Sequence, residues 1–261
     1  MARNGAEGST RLVFAAGTFA CLGLAWYAAT SLTHFIGPAF FPTPGESWQA
    51  LWRIAVLGYA DGLLHQHALH SAWLVLMGFV AAVAVGVPLG MAMGWSRRVE
   101  AFAGPVFLLI RPIPPLAWIP LAIVWLGLGD AAKVMVIWFA AFVPAVINSF
   151  TGVRAIEPHL VEAARSLGIR GPMLVREVLL PGAAPLIFTG LRLSLQACWT
   201  TLVAAELIGA ILGLGHALYQ AGLDIDPAMI VVGMGAVAVA GGAMTLALGW
   251  IERRALPWRL R

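Results

Sequence analysis

From His70 to Trp95 the chain holds no acidic, lysine or arginine side chain, and as a helix that run would be about 39 Å long. A bilayer core is crossed by about 20 consecutive apolar residues, and within it only an element that satisfies its own backbone hydrogen bonds can stand. Six segments of this kind lie along the 261 residues: Leu12 to Leu32, His70 to Trp95, Ala101 to Leu126, Ala132 to Thr151, Ala183 to Ile211 and Pro227 to Trp250. The expected fold is all-α, a polytopic membrane protein with about six transmembrane helices. Composition removes the alternatives. With 61% of residues hydrophobic and only 11% charged, the chain is too apolar for disorder and too poor in charge for a soluble enzyme.

The few charges carry the topology. With the N-terminus inside, Arg3, Arg11, Arg97, Arg98, Arg154, Arg165, Arg170, Arg176, Arg253, Arg254, Arg259 and Arg261 fall on the cytoplasmic side, against Arg53 and Lys133 opposite. By the positive-inside rule both termini are cytoplasmic. The basic residues flank apolar runs and form no continuous face, so a net charge of +4 does not imply a nucleic-acid partner. The first apolar run exceeds the length of a signal-peptide core and reads as an uncleaved helix. Cys21 and Cys198 sit in apolar runs and act as small hydrophobes. His65, His67 and His70 have metal-like spacing, but they stand at an interface just before a span, and no metal site is expected from them.

Three regions follow from this pattern. Residues 1–65 hold the first helix and an outer linker, residues 66–252 the transmembrane core, and residues 253–261 a short cytoplasmic tail. In the linker, Phe40-Phe41-Pro42-Thr43-Pro44-Gly45 is a stiff break. Trp48, Leu51, Trp52, Ala55 and Val56 then repeat at helical spacing, which predicts an amphipathic helix lying in the outer interface. The longest cytoplasmic loop, residues 154–182, mixes arginines, glutamates and apolar residues and is the expected docking element. No Gly-rich phosphate loop ends in Gly-Lys-Ser/Thr: the only lysine, Lys133, follows Ala132. The chain is not expected to be an enzyme, and ATP would have to be hydrolysed elsewhere.

That loop reads Glu162-Ala163-Ala164, three residues, Gly168, nine residues, Val178, one residue, Leu180-Pro181. Ala163 and Ala164 permit close helix approach, Gly168 suits a helix end at positive φ, and Pro181 is expected to stop a second short helix before the next span. The spacing resembles the EAA loop of ABC importer permeases, with valine in place of isoleucine. Further stretches are similar to the permeases of the nitrate, alkanesulfonate and taurine importers: Arg111-Pro112-Ile113-Pro114-Pro115-Leu116-Ala117-Trp118-Ile119-Pro120-Leu121, Trp125-Leu126-Gly127-Leu128-Gly129 and Thr201-Leu202-Val203-Ala204-Ala205-Glu206-Leu207-Ile208. Together with Leu256-Pro257-Trp258 they most resemble the taurine permeases.

The resemblance implies a type I importer permease. Its coupling helix would seat in a groove of a separate ABC ATPase subunit through Glu162, Ala163, Ala164, Arg165, Gly168, Leu180 and Pro181. ATP and Mg would bind that partner, and this chain would hold no cofactor. A periplasmic or lipoprotein substrate-binding protein, a second copy of the chain and membrane lipids complete the implied partners, in a bacterial inner (cytoplasmic) membrane. The implied solute is small and anionic or zwitterionic, taurine or another alkanesulfonate, with nitrate, bicarbonate or a heterocyclic vitamin precursor as alternatives.

Intramembrane polar groups suggest the path itself. Arg111 lies about 15 Å into the third span at helical rise. Pro112, Pro114 and Pro115 strip backbone donors just after it, so a restarted helix would open its positive end nearby. Arg111, Pro114, Pro115, Trp118, Trp199, Thr200 and Glu206 are the candidate pathway residues. Arg111 could equally snorkel or meet backbone carbonyls at the proline break. Glu206 could read a substrate ammonium, hold an outer gate through Arg111 or Arg53, or serve structure alone. A stand-alone secondary transporter would need inverted repeats and acids deep in several spans, and Glu206 is the only intramembrane acid read here. An integral-membrane enzyme would need a catalytic cluster that the spans lack.

Overall fold

The structure, a computed structural model, describes residues 2–32, 37, 40–207 and 209–260, and every regular element among them is helical. Ile208 and Arg261 lie outside the described residues, as do the side chains of Arg3, Arg11 and Arg259. Helix α1 is Ala2–Tyr27, closed by a π-turn at Ala28–Leu32. There follow α2 Pro44–Trp52, α3 Leu64–Trp95, α4 Arg97–Ile110, α5 Ile119–Leu126, α6 Asp130–Arg154 and α7 Pro158–Ser166. The chain continues through α8 Pro172–Glu206, α9 Leu214–Leu223 and α10 Pro227–Ala255.

Helices α3, α6, α8 and α10 are each long and apolar enough to cross a membrane. The first predicted span falls on a shorter apolar helix, Ala16–Leu32, among the described residues. The third predicted span differs in shape. Instead of one helix from Ala101 to Leu126, α4 and the segment Pro115–Leu126 meet at 86°. Prolines explain the bend: with Pro112, Pro114 and Pro115 lacking N–H groups, α4 ends at Ile110 and the chain restarts through a 3₁₀ turn at Pro115–Trp118.

The core is a three-helix sandwich with α6 in the middle, α3 on one side and α8 on the other. Its close approach is written in small residues. Helix α3 presents Gly78, Ala82, Gly86, Gly90 and Gly94 at every fourth position, one face of a helix. At Gly90 a Cβ would stand 2.4 Å from the Val146 carbonyl oxygen, so only glycine lets the two backbones come this near. On the other side of α6, a Cβ at Gly190 would lie 2.5 Å from Asn148 Cβ. Leu74, Val75, Ile137, Val146, Leu195 and Leu202 fill the space between.

Helix α2 begins in a capping box. Thr43 accepts from the Glu46 N–H, and the Glu46 carboxylate accepts from the Thr43 N–H at 2.8 Å. Two faces of this segment do different work. Ala50 and Ile54 are buried in a cluster with Ala217, Ala221 and Met229, while Trp48 and Trp52 are 66% and 61% exposed. The helix expected after the Pro42–Gly45 break is thus present, with its tryptophans on the outward side.

Candidate functional site

The loop that carries Glu162-Ala163-Ala164 folds from local signals. Pro158 occupies the first turn of α7, where its missing N–H costs nothing. The helix ends at Gly168, φ +84°, with the Ile169 N–H donating to the Ala164 carbonyl and the Gly168 N–H to the Arg165 carbonyl, both at 3.0 Å. This pair of bonds is a Schellman cap, and the left-handed residue it needs is glycine. Gly171, φ +58°, then turns the chain into Pro172 and α8.

Ala164, Leu174 and Leu179 are buried where α7 meets the start of α8. Glu162, Ala163 and Leu167 face outward, Leu167 at 82% exposure. Arg165 lies over the Trp95 ring, 5.5 Å from its centroid, and Arg154 pairs with Glu100 at the start of α4. The product is a small helical knob, fastened below and open above. Leu180 is exposed and Pro181 half-buried one turn into the membrane helix. Pro181 does not stop that helix. It follows a π-turn at Val175–Leu179, where the Leu180 N–H reaches back five residues to the Val175 carbonyl, so the hydrogen-bond register is already shifted where proline lacks its donor. The membrane helix therefore runs back through the π-turn to Pro172 as one 35-residue rod, whose first turns pack against α7.

The seven candidate pathway residues do not gather at one point. Arg111 is exposed at the end of α4 and lines a groove of about 540 Å³ with Glu100, Gly104, Phe107, Phe150 and Thr151. Pro114 and Pro115 open the bend, and Trp118 stacks on Phe139 of α6 with ring centroids 4.1 Å apart. Trp199 is buried, with Gly241 of α10 against its ring. Thr200, next to it, points out of the bundle and donates to carbonyls of its own helix.

Glu206 ends α8 fully buried. Neither Arg111 nor Arg53 is its partner: Arg53 pairs with Asp226 at 2.6 Å. Glu206 Oε1 accepts from Ser71 Oγ at 2.8 Å and Oε2 from the Gly215 N–H at 2.7 Å. Ser71 Oγ accepts in turn from the Leu214 N–H at 2.9 Å, and His67 Nδ1 from the Gly213 N–H at 3.0 Å. Since Nδ1 accepts, the ring proton sits on Nε2, which donates to the Tyr59 carbonyl at 2.9 Å. Three successive N–H groups at the start of α9 are thus satisfied by side chains from α3 and α8. Gly213 and Gly215 leave the room, since a Cβ at Gly213 would fall 2.2 Å from Glu206 Oε1.

One arrangement escaped the sequence reading. Thr189, Arg192, Gln196 and Thr200 of α8 are all exposed, at spacings i, i+3, i+7 and i+11. At 100° per residue they fall within a stripe about 80° wide and 16 Å long along an otherwise apolar span. The spacing alone could have shown it.

The profile of one protein family, "Binding-protein-dependent transport system inner membrane component", matches residues 86–256. The chain belongs to that family. Its members are translocation subunits of ABC importers, which makes this chain a multi-pass permease and the EAA loop and coupling helix family features. Among relatives, the taurine transport system permease of Escherichia coli is 37% identical over 96% of this chain and 91% of its own length. The bicarbonate transport system permease of Synechococcus elongatus is 34% identical over 90% and 84%. In fold, the permease matches a chain of the inward-facing MetNI methionine ABC transporter with a TM-score of 0.59 at 22% identity, covering 72% of this chain and 92% of that one.

Proposed function

We propose that two copies of this permease line the path of an ATP-driven importer in the cytoplasmic (inner) membrane, with both termini cytoplasmic and taurine or another alkanesulfonate as solute. The observation that carries this reading is that the span in α8 reaches back to Pro172, where its first turns pack against α7. Closure of an ATPase subunit on Glu162, Ala163 and Leu167 would push a rod that runs unbroken from Pro172 to Glu206. Arg165, Gly168, Leu180 and Pro181 hold the knob's shape and its join to the rod. The permease does no chemistry of its own, so ATP and Mg belong to the partner.

The sulfonate reading rests on the 37% identity to the taurine permease and on the arginines at 111 and 192. The bicarbonate permease relative supports a second reading, in which the same architecture carries another small anion. Selection would lie largely in the binding protein. The test is reconstitution of permease, ATPase and binding protein in liposomes. The account expects ATP-dependent taurine uptake that needs all three, and no hydrolysis by the permease alone. Hydrolysis by the purified permease would contradict it. Titration calorimetry of the binding protein with taurine, an alkanesulfonate and bicarbonate separates the two solute readings.

A further inference from the structure

Arg192 sits in the middle of α8 with its guanidinium 52% exposed, bonded through Nη2 to the carboxylate of Glu252 on α10, whose side chain is only 11% exposed. A charged group within a span is costly unless it faces a partner or water. Glu252 engages one edge of the fork. A guanidinium has five N–H donors, and with about half of the Arg192 side chain exposed, Glu252 does not occupy them all. On the same face stand the hydroxyls of Thr189 and Thr200 and the amide of Gln196, with no other charge among them. Lipid would be a poor solvent for such a stripe, whereas a hydrated path between two copies of the chain would suit it.

We infer that the stripe Thr189–Arg192–Gln196–Thr200 is the wall of the solute path, and that Arg192 selects for a single negative charge by sharing its guanidinium between Glu252 and the passing anion. The inference rests on the reading of the chain as half of a membrane path and adds the residue that discriminates charge. A sulfonate or carboxylate entering the stripe can accept from the exposed edge of the fork while Glu252 keeps the other. As the anion moves on, Glu252 recovers the whole guanidinium, which keeps the site from becoming a trap. Thr189 and Gln196 supply neutral donors and acceptors on either side.

The test reads charge selection without depending on the transported solute. In the assembled importer in liposomes, with Cys21 and Cys198 replaced by alanine, Gln196→Cys and Thr200→Cys are reacted with two methanethiosulfonates of equal length. One carries a sulfonate and the other a trimethylammonium group. Both positions should react, whereas Val239→Cys on an exposed apolar face of α10 should not. Adding Arg192→Gln should lower the anion-to-cation rate ratio at Gln196→Cys about tenfold, because a charged wall concentrates counter-ions to that order.

Glu252→Gln should raise the ratio. Arg192→Gln on that Glu252→Gln background, where no acid is stranded, should lower it again, which keeps the test valid if the single arginine variant folds poorly. No reaction at Gln196→Cys in the folded importer, or a ratio that Arg192→Gln leaves unmoved on either background, overturns the inference. A wild-type importer that moves no sulfonate while the ratios shift as expected would overturn the proposed solute and leave the role of Arg192 standing.

Discussion

The two ends of α8 are secured by opposite means. Just before its first residue, Pro172, the chain caps itself: Gly168 takes a left-handed conformation and the last turn of α7 closes through backbone bonds within five residues. At the Glu206 end nothing local suffices. Glu206 meets Ser71, 135 positions away in sequence, and together with His67 they seat the first turn of α9. A self-capped α7 keeps its shape without polar help from the bundle. A buried network shared by three helices cannot move without leaving polar groups unsatisfied. The same rod thus begins beside a self-contained, outward-facing knob, its free end, and finishes in a network fixed within the bundle, an asymmetry that the proposed coupling would use.

The comparison breaks most visibly at the fixed end. Glu206→Ala removes the acceptor from the Ser71 hydroxyl and the Gly215 N–H, and each stranded buried donor costs about 1–3 kcal/mol. A large drop in thermal unfolding temperature of the detergent-solubilised permease is expected, with Glu206→Gln milder because its amide oxygen still accepts. Gly213→Ala should follow, at about 1–3 kcal/mol for a Cβ driven into the carboxylate. The free end should respond differently. Gly168→Ala forces a Cβ into φ +84° at about 1–2 kcal/mol, confined to the end of α7. Global unfolding should scarcely shift, while hydrogen exchange at Leu167–Ile169 rises and uptake falls.

The smallest effect lies beside the Glu206 network. The Tyr59 hydroxyl donates to Asp224 Oδ2 at 2.6 Å, and burial, that bond and the nearby Asp224 and Asp226 charges raise its pKa above the ordinary value of 10.0. A raised folded pKa means that this tyrosine's contribution is complete below pH 10 and is lost as pH climbs toward the folded value. Tyr59→Phe should therefore cost a little stability at neutral pH, where the bond to Asp224 is intact, and remove a small part of the alkaline loss. Unfolding curves at pH 8 and above for both proteins check this.

What could be read in the sequence follows the same division. The knob was legible because its determinants are neighbours: Pro158 opens α7, Gly168 closes it, and Glu162-Ala163-Ala164 lie between. The broken span was half legible. Three prolines announced a break but not an 86° turn, which depends on how α5 packs against α6. Pro181 misled, because a π-turn upstream absorbs the lost donor and nothing in the residue types demands that turn. Glycines at every fourth position of α3 carried a packing signal that hydropathy ignores. Glu206 stood out as an intramembrane acid, yet its partners come from α3 and α9, so no local pattern could assign it a role.

The account centres on force passing through the knob into α8, and the most direct measurement separates folding from coupling at Gly168. Gly168→Asp adds both a Cβ at positive φ and a charge to an outward surface in open space. It should leave the permease folded and inserted, with an unfolding temperature close to wild type. Liposomes holding this variant with its ATPase and loaded binding protein should show no ATP-dependent uptake and no substrate-stimulated hydrolysis, and Glu162→Arg should behave alike. Uptake near the wild-type rate per folded complex, with the ATPase still bound and stimulated, would contradict the assignment of α7 as the coupling element.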